Sequence, residues 1–162
     1  MGRRNPVKMS EEIYRPVLNQ LYDQHDYDFE PRHGKENEKY DGVLIHRKTN
    51  HRFSIEEKGL SYVHTHCPIE LIQDIKTMNL GWFYKTEANS IVFIYFHANT
   101  TNPAIVYIAR TIRLKNYNPD YFLVKNVFTA KATNGYGDTV NLNIPWELFL
   151  EDGTARIWNE WE

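Results

Sequence analysis

A chain of 162 residues, 41% of them hydrophobic and 14% aromatic, carries enough apolar material for one core, which excludes a disordered tail or a low-complexity linker. The formal charge of −2 excludes a uniformly basic, phosphate-coating surface, though a local basic face survives it because acidic metal ligands would count against the total. Cys67 stands alone, so no intrachain disulfide forms and a reducing cytoplasm is expected. No apolar run approaches a membrane span, and MGRRNPVKMS lacks the apolar centre of a signal peptide.

Residues 1–9 read as a flexible basic arm, with 10–162 as a single domain. Ser10 suits an N-cap, with Glu11 and Glu12 in the first turn of a helix that runs to about Gln24. Ile13, Val17 and Leu21 give it an apolar stripe, and Pro16 either kinks it or marks a start near Arg15. The alternation DYDFE predicts a short strand. A polar stretch follows, in which Arg32, Lys35 and Lys39 are placed to meet phosphate. Glu36 and Glu38 there either supply a further acidic ligand or face solvent.

Tyr40 to Lys58 (YDGVLIHRKTNHRFSIEEK) predicts two strands joined by a polar turn. Phe53 and Ile55 point one way; Arg52, Ser54, Glu56 and Lys58 point the other. A two-residue turn at Thr49-Asn50 puts Asp41 opposite Lys58, and a register shifted by two puts it opposite Glu56. In either register Asp41, Glu56 and Lys58 share a face; a register shifted by one residue would separate them, and periodicity alone does not decide against it. Carboxylates and an ammonium converging there are costly unless something uses them, and a hard divalent cation wants such oxygen ligands.

An Asp on one strand followed by Glu-x-Lys on the next resembles the PD-(D/E)XK nuclease superfamily, of phage or prokaryotic type. The likeness covers roughly Lys35 to His97 and takes in PIELIQD and GWFYKTEANSIVFIYF, where Asn89 stands in place of an expected Asp. The resemblance implies an α/β fold: a central mixed β-sheet flanked by helices, restriction-endonuclease-like, with an αβββαβ core and C-terminal β additions. It implies Mg2+ or Mn2+ held by Asp41 and Glu56 with the backbone carbonyl of Glu57, and Lys58 as the catalytic amine. It implies DNA as partner and substrate, in a prokaryotic or virus-infected cytoplasm. Many enzymes of this fold pair to cut two strands, so a homodimer belongs to the expectation. A catalytically inactive module that binds nucleic acid or protein on the same fold is the rival reading.

In SYVHTHC, His64 and His66 would share a strand face, but no second cluster completes a zinc site. Pro68 to Asn79 predicts a helix, with Ile69, Ile72 and Ile75 at helical spacing and Gly81 as a stop. Glu70 at its start is a secondary acidic candidate, because related sequences carry an acidic residue near the active site there. Gly81 to Asn89 reads as a loop or strand entry, in which Trp82 and Lys85 are candidates to lie beside nucleic acid. Ile91 to Phe96 predicts a strand buried on both faces, and Ala104 to Ala109 a strand returning beside it. Arg110, Arg113 and Lys115, with Tyr117 and Tyr121 beside them, form the best basic patch for a DNA path. Phe122 to Ala132 and Thr139 to Ile144 predict strands paired across the NGYGD turn. A short helix from Pro145 to Leu150 precedes RIWNEWE, whose two Trp pack on the domain.

Overall fold

The run Ile91–Phe96 is apolar at every position, so it has no face to give to water and must lie between two cores. The computed structural model, which describes residues 8–33, 39–63, 65–74, 76–116, 127–131 and 138–162, places it in that position. The elements are α1 (Glu11–Gln24), β1 (Tyr27–Pro31), β2 (Gly42–His46), β3 (Arg52–Leu60), β4 (His66–Asp74), β5 (Asn79–Leu80), α2 (Trp82–Lys85) and β6 (Ser90–Phe96). They continue with β7 (Pro103–Arg110), α3 (Thr111–Lys115), β8 (Val127–Lys131), β9 (Asp138–Pro145), α4 (Trp146–Asp152) and β10 (Ala155–Glu160). The chain is α/β with a large mixed sheet, ordered β1-β2-β3-β6-β7-β10. Only β3 and β6 run parallel there; the other neighbours are antiparallel. A second, antiparallel sheet is ordered β5-β4-β9-β8.

Alternation along β6 divides the core. Val92, Ile94 and Phe96 meet Tyr14, Leu18, Leu21 and Tyr22 of α1, together with Leu44 and Ile55. Ile91, Phe93 and Tyr95 meet Cys67, Ile69, Leu142 and Ile144 of the second sheet, with Trp146 and Phe149 of α4. One face of the large sheet therefore carries a helix and the other a sheet edged by short helices. The helix stripe predicted for α1 is the one that is buried, and Pro16 lies inside the helix. Ser10 is its N-cap through backbone only: its carbonyl accepts from Ile13 and Tyr14. Trp158 and Trp161 pack against the α1 side of the core, as the C-terminal reading expected.

One expected element is overturned. Pro68 to Asn79 is no helix: His66–Asp74 is β4, which pairs along β9, and the chain then turns into β5. The αβββαβ core expected a helix between the third strand and the parallel one; β4, β5 and the single turn of α2 stand there instead. Ile69, Ile72 and Ile75 fit a helical period, but Cys67 and Ile69 also fit a strand's period of two, and both are buried. β-Branched isoleucines favour the strand, and β9, some seventy residues on, supplies the partner that local spacing cannot reveal. The same change of element removes the helix N-terminus where Glu70 was expected. Gly81 to Asn89, read as loop or strand entry, contains α2. Tyr117, Tyr121, Glu36, Glu38, Lys35, His64 and residues 134–137 of the NGYGD turn lie outside the described residues.

Candidate functional site

Hairpin register decides what Asp41 faces. Gly42 pairs with Ile55, Val43 with Ser54, Leu44 with Phe53 and Ile45 with Arg52; the ladder ends at Gly42, and Asp41 stands one position beyond it, at the Glu56 end. This is the register shifted by two, because residues 47–50 close the turn in place of Thr49-Asn50 alone: the Asn50 N–H donates to the His46 carbonyl at 2.8 Å, and Asn50 takes a left-handed φ of 59°. Asp41 lies where β2 is about to begin. Its backbone N–H donates to the Ile55 carbonyl at 2.9 Å, while its Oδ2 accepts the Glu57 N–H at 2.6 Å. The carboxylate thus takes the β3 N–H that a longer β2 would have paired.

Glu56 and Lys58 point to the other side of β3 from Ile55, Glu57 and Gly59. They register with Ile91 and Phe93, so they extend the sheet face that the second sheet covers. Lys58 Nζ lies 3.2 Å from Glu56 Oε1 and 5.2 Å from the centre of the Trp82 ring. Both side chains are largely buried, at 17% and 14% exposure, so solvent and salt screen this pair less than a surface salt bridge. Trp82 reaches Lys58 because Gly81 lets α2 close on β4: its N–H donates to the Leu71 carbonyl at 2.7 Å, and a Cβ there would strike the Glu70 backbone. Thr86, after α2, puts its hydroxyl 3.5 Å from Glu56 Oε2 and 3.4 Å from the Lys39 carbonyl.

Electrostatics follow from this crowding. Burial pushes the Asp41 carboxyl up from its ordinary value, against the pull of the Glu57 N–H and of Lys58. Burial also pushes Glu56 up, with Lys58 opposing and the charge of Asp41 adding to it. Two carboxylates that each resist ionisation, with the charge of Asp41 adding to the cost of Glu56, are a pair a cation would relieve. Among the described residues, no group of three or more His, Cys, Asp or Glu is placed to hold a metal, so any ion here would lean on these two side chains and backbone or solvent oxygen.

Of the residues singled out in the sequence, Asp41, Glu56 and Lys58 come together, and Thr86 joins them unforeseen. The Glu57 side chain turns away to α1, leaving only its backbone beside Asp41. Glu70 sits in mid-β4 opposite Asn141. Lys85 is exposed at the end of α2. Arg110, Arg113 and Lys115 are all exposed; Arg113 also donates to the Asp152 carbonyl at 2.5 Å and Lys115 to the Thr86 carbonyl at 2.8 Å. Asn89 is structural, its Oδ1 accepting from the Ser54 N–H at 2.8 Å and from the Ser54 hydroxyl at 3.0 Å to tie β6 to β3.

Arg15 is the residue that sequence reading missed. It forks onto Glu57 and lies 4.3 Å from the Phe29 ring centre. Arg15, Leu18 and Tyr22 fall at i, i+3 and i+7, so a cation shared a helix face with two apolar residues; that was the available signal of a buried partner.

No helix among the described residues is long and apolar enough to cross a membrane. Comparison with protein-family models, with curated proteins and with solved structures gave no match to this chain.

Proposed function

We propose that this protein is a metal-dependent nuclease of the restriction-endonuclease-like type, hydrolysing DNA phosphodiesters. The observation that carries the reading is the nearness of Asp41 to Glu56 and Lys58: its carboxylate accepts the N–H of Glu57, between those two, its charge acts on Glu56, and Lys58 acts on it in turn. Part of the strand plan supports it: a helix and three antiparallel strands, with Asp41 just before the second and Glu56 on the third, and β6 parallel to the third, although β4 and β5 stand where that core has a helix. The PD-(D/E)XK resemblance supplies the substrate class.

The donor set suits a hard cation: two carboxylates, no thiol and no imidazole. Asp41 and Glu56 would hold Mg2+ or Mn2+, with the Glu57 backbone carbonyl as a neighbouring oxygen. Such an ion, when bound, acidifies a coordinated water and offsets charge on the phosphate. The chain's own residues do the rest. The Glu57 N–H fixes one oxygen of Asp41. Lys58, braced by Glu56 and the Trp82 ring, offers N–H donors to a phosphate oxygen or an attacking water. Thr86 and the Lys39 carbonyl bound the site on the α2 side.

The test is cleavage of supercoiled, linear and branched DNA with Mg2+ or Mn2+. Asp41→Asn and Glu56→Gln should abolish cutting, and Lys58→Met should slow it by about a hundredfold or more. Cutting that persists through Asp41→Asn and Lys58→Met rejects the assignment. The rival, a non-cutting module, is favoured by the commitment of Arg113 and Lys115 to backbone carbonyls and of Lys58 to Glu56. DNA or protein binding with no Mn2+ heat in calorimetry would select it.

A further inference from the structure

Glu57 lies between the two charged residues of the site, yet its carboxylate is fully buried on the opposite side of the sheet. A charge placed there needs a partner, and α1 provides one. Arg15 Nη1 donates to Oε2 at 3.1 Å, Nη2 makes a shorter bond to Oε1, and the Tyr22 hydroxyl donates to Oε2 at 2.5 Å. A guanidinium fork and a phenol leave a carboxylate no freedom to rotate. The backbone of the same residue then acts on Asp41: the Glu57 N–H is the donor that holds its Oδ2.

We infer that Arg15 and Glu57 are positioning residues for Asp41, with α1 setting the aim of the carboxylate through the Glu57 backbone. The inference rests on the reading of Asp41 as a metal ligand for its functional consequence, though not for its geometry. An apolar pair would fill the same space at less desolvation cost, so an ion pair here is better explained by the orientation it fixes than by stability. Partners that orient a ligand in this way are worth about ten- to a hundredfold in metal affinity when lost.

The test uses the full chain in two conservative forms. Arg15→Lys keeps the charge and loses the fork. Arg15→Met with Glu57→Leu replaces the pair by apolar bulk and guards against a single variant that fails to fold. The backbone amide proton at position 57, read by NMR, reports on the bond to Asp41 without any metal: its exchange should quicken in both forms, and in Arg15→Lys its resonance should shift upfield. Mn2+ affinity by calorimetry should fall about tenfold, with the double replacement still folded although it leaves the Tyr22 hydroxyl without its acceptor. Unchanged amide exchange at position 57 in both forms overturns the inference, as does wild-type Mn2+ affinity in the double replacement, since either would mean that the pair only fills space. Should wild-type protein neither bind Mn2+ nor cut while the amide still responds, the positioning stands and the nuclease reading falls.

Discussion

Gly59 offers a direct test of how α1 is seated on the strand that carries the site. It follows Lys58, faces α1, and its carbonyl accepts the Met9 N–H at 2.8 Å. A Cβ on Gly59 would meet Tyr14 at 2.5 Å from Cδ2, 3.0 Å from Cε2 and 3.3 Å from Cγ. These are ring atoms of a side chain only 7% exposed, so they cannot swing clear without moving the helix. Overpacking of this kind costs about 1–3 kcal/mol. Alanine returns about 0.4–1 kcal/mol through the unfolded chain. Gly59→Ala should therefore lose about 1–2 kcal/mol, a fall in Tm of about 2–8 °C for a domain of this size. In a Tyr14→Ala background the obstacle is gone, and the same substitution should become neutral or stabilising. Thermal melts of the four proteins complete a double-mutant cycle with a coupling as large as the single-site loss. If Gly59→Ala alone melts at or above the wild-type temperature, the close seating of Tyr14 is wrong, and with it the approach that brings neighbouring Arg15 to Glu57.

The buried carboxylates make stability fall with rising pH. Because the folded-state pKa of Glu56 is raised above its ordinary 4.5, the folded protein holds that proton longer than the unfolded chain does. The contribution is fully present below 4.5 and is lost as pH rises through the higher folded value. Glu56→Gln should accordingly be more stable than wild type at neutral pH, with a flatter profile in urea melts between about pH 5 and pH 8; an equal or steeper profile would show that the Lys58 pair outweighs burial. Trp146 joins the two sheets, stacked on Tyr107 at 4.0 Å between ring centres and donating from Nε1 to the Tyr95 hydroxyl at 3.1 Å. Trp146→Ala should cost about 3–5 kcal/mol by urea unfolding, and a loss below about 1 kcal/mol would mean that the second sheet is not anchored through this residue.

A site that works through charge must tolerate the cost of burying it. Asp41, Glu56 and Glu57 all have carboxyls that burial pushes upward. Each meets that cost differently: Asp41 by a backbone N–H, Glu56 by Lys58, and Glu57 by Arg15 and Tyr22. Burial also works against the charge on Arg15, but its bond to Glu57 and that group's charge outweigh this and raise its pKa. Arg15 therefore keeps its charge, while burial still holds the Glu57 carboxyl above its ordinary value.

Local chemistry determined much of this protein from the sequence alone. The stripe of α1, the DYDFE strand, the alternation of β3, the unbroken apolar run of β6 and the shared face of Glu56 and Lys58 all follow from spacing within a dozen residues. Three matters needed the tertiary structure. The hairpin register turned on how residues 47–50 closed, a choice between alternatives that alternation cannot separate because both keep the same faces. Pro68 to Asn79 carried a pattern that fits helix and strand, and only pairing with distant β9 selected the strand. The fate of the charges was least legible: Arg15 reached Glu57 across 42 positions, and Lys115 reached Thr86 across 29. A charge's partner is set by which elements pack together, and packing joins residues that sequence spacing leaves unrelated.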